Sequence, residues 1–64
     1  MYNYKVITEE KEEFRLNADA FEFRDQWLIF FVFSKETLNN EEKKIGSSVW
    51  SFRAADVVRV EIES

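Results

Sequence analysis

The sequence contains no histidine, no cysteine and no proline, and its single glycine is Gly46. Each absence removes a class of chemistry. Without histidine there is no side chain whose ordinary pKa makes it a proton shuttle near neutral pH. Without cysteine there is no disulfide and no thiolate nucleophile. Zinc centres draw mainly on those two residue types, so none is expected. Ser34, Ser47, Ser48, Ser51 and Ser64 have no imidazole to activate them. A Ser47–Lys44 pair has no supporting spacing. Carboxylates are abundant, but Glu9, Glu10, Glu12 and Glu13 share one charged run, whereas a glycosidase pair flanks a cleft. Asn17, Asp19 and Glu22 offer oxygen atoms, yet they lack the glycine and the downstream glutamate of a calcium loop. Asn17 and Asp19 read as turn formers. One glycine after Lys43-Lys44-Ile45 does not make a phosphate loop. We therefore expect no catalytic residue, no cofactor and no metal.

Long hydrophobic runs are also missing. A spanning helix needs about 20 apolar residues, and the longest run here has seven, Trp27 to Phe33. The opening MYNYKVITEE is polar and then acidic, unlike a signal peptide. Small secreted domains often depend on disulfides, so a cytoplasmic location is expected. With no proline and one glycine, turns fall mainly to Asn, Asp, Ser and charged residues.

What is present is core material. The chain is 45% hydrophobic and 17% aromatic, which weighs against disorder. Sixty-four residues suit one β-domain, 1–64. A chain of that size buries only about 60% of its unfolded surface, so its core must be dense. Thirteen acidic and nine basic residues give a formal charge of -4. That balance disfavours a nonspecific grip on nucleic acid, where cations neutralise phosphates.

The seven-residue run reads as a central strand covered on both faces. Side chains alternate along a strand. Trp27, Ile29, Phe31 and Phe33 are assigned to the core. Leu28, Phe30 and Val32 then form a surplus apolar face, covered by the 35–47 segment or by another chain.

The other segments follow from alternation and its breaks. Tyr2 to Glu9 is a strand with Tyr2, Tyr4 and Val6 inward, and Glu9 to Glu13 is a solvated hairpin tip. Phe14, Leu16 and Ala18 continue an inward face on even numbers, whereas Phe21 and Phe23 are odd, so a turn or bulge is expected over 17–20. Arg24-Asp25-Gln26 is a tight turn. Ser34 to Ser47 is expected as a flexible excursion, with Asn39-Asn40 suited to left-handed backbone. Ser48 to Arg53 is a strand with Trp50 and Phe52 inward. Ala54-Ala55-Asp56 is a helical turn. The final strand places Val58, Val60 and Ile62 inward.

The fold class is thus all-β. Connections this short exclude parallel crossovers and predict a single antiparallel meander of five to six strands. A strongly curled sheet or a small barrel would manage its edges. This layout resembles SH3-like and Sm-like small barrels, and the segment AADVVRVEIES is similar to the tails of small β-rich proteins of bacteria and their phages. That resemblance brings no active residue with it. The function expected is a small acidic module acting through protein–protein interaction. Its interface residues are Leu28, Phe30 and Val32, and its partner is a second copy or another protein, as for a phage or host regulatory modulator. The alternative is a nucleic-acid-binding small barrel. Tyr2, Tyr4, Trp27 and Trp50 would stack on bases, and Lys5, Arg15, Arg24, Arg53 and Arg59 would meet phosphates.

Overall fold

The computed structural model of the chain describes residues 1–63. Six strands follow in order: β1 (Tyr2–Thr8), β2 (Glu13–Ala18), β3 (Ala20–Arg24), β4 (Trp27–Leu38), β5 (Glu41–Arg53) and β6 (Val57–Ile62). One 3-10 turn, Ala54–Asp56, precedes β6, as the sequence predicts. The protein is all-β. It is not a single curled meander or a closed barrel. The strands divide into two antiparallel three-stranded sheets, ordered β2-β1-β6 and β3-β4-β5. Each sheet turns an apolar face to the other, and two such faces bury each other by stacking. The chain crosses between sheets at Asp19, the one residue between β2 and β3. This is the break in phase expected over 17–20.

The core lies between the sheets. Tyr4 and Val6 come from β1, Leu16 and Ala18 from β2, and Leu28 and Phe30 from β4. Phe14, Phe52, Val57 and Val60 pack against them. Phe30 is the hub, its ring centroid 5.2 Å from Tyr4, 5.6 Å from Phe21 and 6.2 Å from Phe52. Burial raises the Tyr4 phenol above its ordinary pKa, with Tyr2 and Asp19 adding to the effect.

The central strand alternates as expected, but its faces are reversed. Leu28 and Phe30 are fully buried within the chain. They therefore offer no surface to a partner, and Val32 at the end of the same row is half-buried. Trp27 and Phe33, expected in the core, remain 42% and 37% exposed. The neighbouring strands give the reason. Leu28 pairs with Phe23 and Phe52, and Phe30 pairs with Phe21 and Trp50. Trp27, Ile29 and Phe31 instead have Arg24, Glu22 and Ala20 on one side, and Arg53, Ser51 and Ser48 on the other. Cross-strand partners share a face, so three strands together select the one to bury. A strand apolar on both sides cannot select it alone.

Two further expectations are corrected. Residues 34–47 are not a flexible excursion. β4 runs on to Leu38 and β5 returns from Glu41 as a two-stranded ribbon. Asn39 and Asn40 close it with φ of 53° and 65°, the left-handed geometry of a tight two-residue hairpin loop. In β6 the inward row is Val57, Val60 and Ile62, the last opposite Tyr4 but 60% exposed at the end of the strand, while Val58 is off the row and exposed. A register shift at Ile7/Thr8 brings Val57 opposite Thr8 and displaces Val58 from the inward row.

Asp19 ties the crossing point to the central strand. Its amide donates to the Phe31 carbonyl at 2.8 Å. Its Oδ2 accepts from the Phe33 N–H at 2.8 Å, and its Oδ1 lies 3.4 Å from the Met1 ammonium. The Phe33 hydrogen bond holds the carboxyl below its ordinary 3.8, against an opposing desolvation, with the ammonium and Lys44 assisting. A carboxyl lowered on folding adds stability that is complete above its unfolded pKa. That stability is lost as pH falls through the lowered value. The urea midpoint of the wild type should therefore drop further than that of Asp19→Asn when pH falls from 6 towards 2. An equal drop in both proteins would contradict this role.

Candidate binding face

The outer face of β3-β4-β5 is built from the residues the core leaves out. Along β4 it carries Trp27, Ile29, Phe31 and Phe33, a ridge of four large apolar side chains. The flanks are low. Ala20 lies opposite Phe31 on β3, and Ser51, Ser48 and Gly46 lie opposite Ile29, Phe31 and Phe33 on β5. A Cβ added at Gly46 would stand 3.0 Å from Phe33 Cε1, so the ring rests on the glycine backbone. Shallow grooves therefore run beside the ridge. One is lined by Arg24, Trp27, Ile29, Phe31, Ser48 and Ser51.

A bulge in β5 accommodates one extra residue within this pattern. Phe30 pairs with Trp50, but Phe31 pairs with Ser48, so Val49 has no partner of its own. Beyond it the even-numbered residues Ser48, Gly46 and Lys44 face outward, whereas Trp50 and Phe52 face inward. Trp50 stacks on Phe52 at 6.3 Å and is half exposed where the other sheet does not cover it.

Cations border the ridge. The Arg53 guanidinium lies 5.7 Å from the Trp27 ring centroid, and Lys44 Nζ lies 4.4 Å from that of Phe33. Lys35 pairs directly with Lys44 and so shares its face. Arg24 is bound to Glu22 at 2.6 Å. Among the described residues, Lys35, Lys44 and Arg53 make no ion pair. The other sheet differs: its Lys5, Arg15 and Arg59 are bound to Glu61 and Glu63 at 3.2, 3.1 and 3.9 Å. These pairs satisfy charge, and those of the exposed Arg15 and Arg59 add little stability.

The structure thus separates the residues singled out from the sequence. Leu28 and Phe30 belong to the core. Trp27, Arg24 and Arg53 meet on one face, whereas Tyr4 is buried and Lys5, Arg15 and Arg59 lie on the other sheet. Phe31 and Phe33, which the sequence reading placed in the core, and Lys35 and Lys44, which it placed in a polar excursion, complete the face. Their signal was the row of small or charged partners on β3 and β5, legible only once the register is known. No group of three or more acidic side chains gathers as a metal site among the described residues. No helix among them is long and apolar enough to cross a membrane. The chain matches no family model, no curated protein and no solved structure.

Proposed function

We propose that this chain is a binding module that works through the outer face of β3-β4-β5 and carries out no reaction. The observation supporting it is the Trp27-Ile29-Phe31-Phe33 ridge, whose Trp27 and Phe33 are exposed and whose Ile29 and Phe31 are half-buried, although the same strand fills the core with Leu28 and Phe30. A contiguous apolar patch of this kind usually marks an interaction surface. A protein, either a second copy or another chain, needs only the apolar ridge. A second reading, nucleic acid, uses the bordering cations as well. A cytoplasmic setting belongs to the same proposal, because a chain without cysteine needs no oxidising compartment. Kinship with small β-rich proteins of bacteria and their phages rests on the closing segment and is part of it too.

The test is solvent access in solution. A soluble paramagnetic agent should broaden the NMR signals of the Trp27 indole and of the Phe31 and Phe33 rings in dilute protein. It should leave the Leu28 methyls and the Phe30 ring untouched. Nuclear Overhauser contacts from residues 34–45 of the same chain to Trp27 or Phe31 would show that the protein covers its own ridge, and would overturn the proposal.

A further inference from the structure

We infer that the occupant of this face is single-stranded nucleic acid, with bases stacked on Trp27, Phe31 and Phe33 and phosphates held by Arg24, Lys35, Lys44 and Arg53. The inference rests on the reading of the face as a binding surface and names its ligand. Three observations support it. The first is the distribution of charge. The outer face bears four cations, Arg24, Lys35, Lys44 and Arg53, against Glu22 and Glu42, whose places follow from their pairing, and Asp19 at its edge, within reach of Lys44. The rest of the chain is left with five cations and ten carboxylates. A net charge of -4 thus conceals a positive face on an acidic body. That arrangement attracts a polyanion to one side and repels it from the other.

The second observation is the Lys35–Lys44 pair. Like charges directly opposite each other on a sheet are unfavourable, and the ribbon that carries them has no second sheet above it. The like-charged cross-strand pair of the other sheet, Lys5–Arg15, is matched by Glu61 and Glu63. Here two lysines are direct cross-strand partners, and Lys44 Nζ lies 4.4 Å from the Phe33 ring centroid. A phosphate between them removes the repulsion.

The third is spacing. Outward residues of a strand recur about every 6.8 Å, twice the stacked rise of about 3.4 Å in a duplex strand. Rings at that interval meet the bases of an extended, unstacked strand and cannot meet those of a duplex. The flat flanks of Ala20, Ser48, Ser51 and Gly46 leave room for bases to lie against the ridge. Single strands are gripped elsewhere by the same combination of aromatic platform and cationic track.

The probe is a 5′-labelled 12-mer, oligo(U) or oligo(dT), followed by fluorescence anisotropy at about 20 mM salt. The labelled 12-base-pair duplex serves as comparison. Binding should be seen for the single strands and be at least about tenfold weaker for the duplex. It should weaken with salt along a log–log slope approaching about -2.8 if all four cations meet phosphates. Lys35→Gln/Lys44→Gln should lower the slope by about 1.4, and Phe31→Ser should weaken binding at unchanged slope. Arg59→Gln, on the other sheet, should change neither. Circular dichroism confirms that each variant is folded. A difference between the U and dT arms identifies RNA or DNA as the natural source.

Absence of any anisotropy change at 100 µM protein overturns the inference, as does binding indifferent to Lys35→Gln/Lys44→Gln. Light scattering then separates the two failures. A mass that rises with concentration and returns to the monomer in Phe31→Ser makes a second copy the occupant and leaves the binding face standing. Ring signals shielded from the paramagnetic agent in a monomer remove the binding face as well.

Discussion

Phe30→Ala should unfold the protein or bring it to the edge of unfolding at room temperature. Phe30 is fully buried and touches the rings of Tyr4, Phe21 and Phe52. Truncating a buried phenylalanine costs about 3–5 kcal/mol, from lost transfer energy and from the cavity left behind. Its aromatic contacts add about 0.5–1.5 kcal/mol per pair beyond area. A chain of this length has roughly 3–10 kcal/mol of total stability, so one truncation removes a third or more of it. In a domain this small each kcal/mol shifts the thermal midpoint by about 4–8 °C, which predicts a fall of at least about 12 °C. Thermal unfolding followed by circular dichroism measures it. A fall under about 5 °C would mean that the two sheets do not close on Phe30.

The second large effect contrasts neighbouring faces of one strand. Leu28→Asp should abolish folding, whereas Phe31→Asp should leave a folded domain. At position 28 the carboxylate would be buried between Phe23, Phe52 and the other sheet, with no cation to meet it. Burying an unpaired charge costs several kcal/mol or forces its protonation. At position 31 the same group faces solvent beside Ala20 and Ser48, and loss of ridge contacts should cost about 1 kcal/mol. Near-UV circular dichroism and urea unfolding of the two proteins decide it. A folded Leu28→Asp protein with native side-chain signals would reverse the assignment of faces.

That contrast marks where the sequence stops being legible. Strand positions, the hairpin tip, the 3-10 turn and the break near Asp19 can all be read from alternation and from turn chemistry. The buried face of β4 cannot, because Trp27-Leu28-Ile29-Phe30-Phe31-Val32-Phe33 is apolar at every step and its own pattern favours neither side. The decision lies in Phe21 and Phe23 on β3 and Phe52 on β5, whose rings fall opposite Leu28 and Phe30 only after pairing is set. The ribbon was hidden for another reason. Residues 34–45 are polar because no second sheet covers them, and polarity without burial resembles a loop. Asn39-Asn40 was the one local sign of a tight hairpin. The Lys35–Lys44 pair was hidden as well, since its members are nine positions apart and meet only once the Asn39-Asn40 loop sets the register of the ribbon.

Val49 has a consequence for how this sheet accommodates change in sequence length. Remove it in thought, and Ser48 would directly precede Trp50. Strict alternation would then hold along all of β5, with every side chain on the face it already occupies. The extra residue alters neither the core nor the ridge. What it alters is the path of the strand, because a bulge bends it and deepens its twist. The angle at which the 34–45 ribbon leaves the body therefore depends on a position that contributes to neither face. Insertions and deletions there would re-aim the arm while leaving the domain intact. Length at that point and pattern on either side of it are independent variables, and relatives of this chain could present the same ridge with the arm set at different pitches.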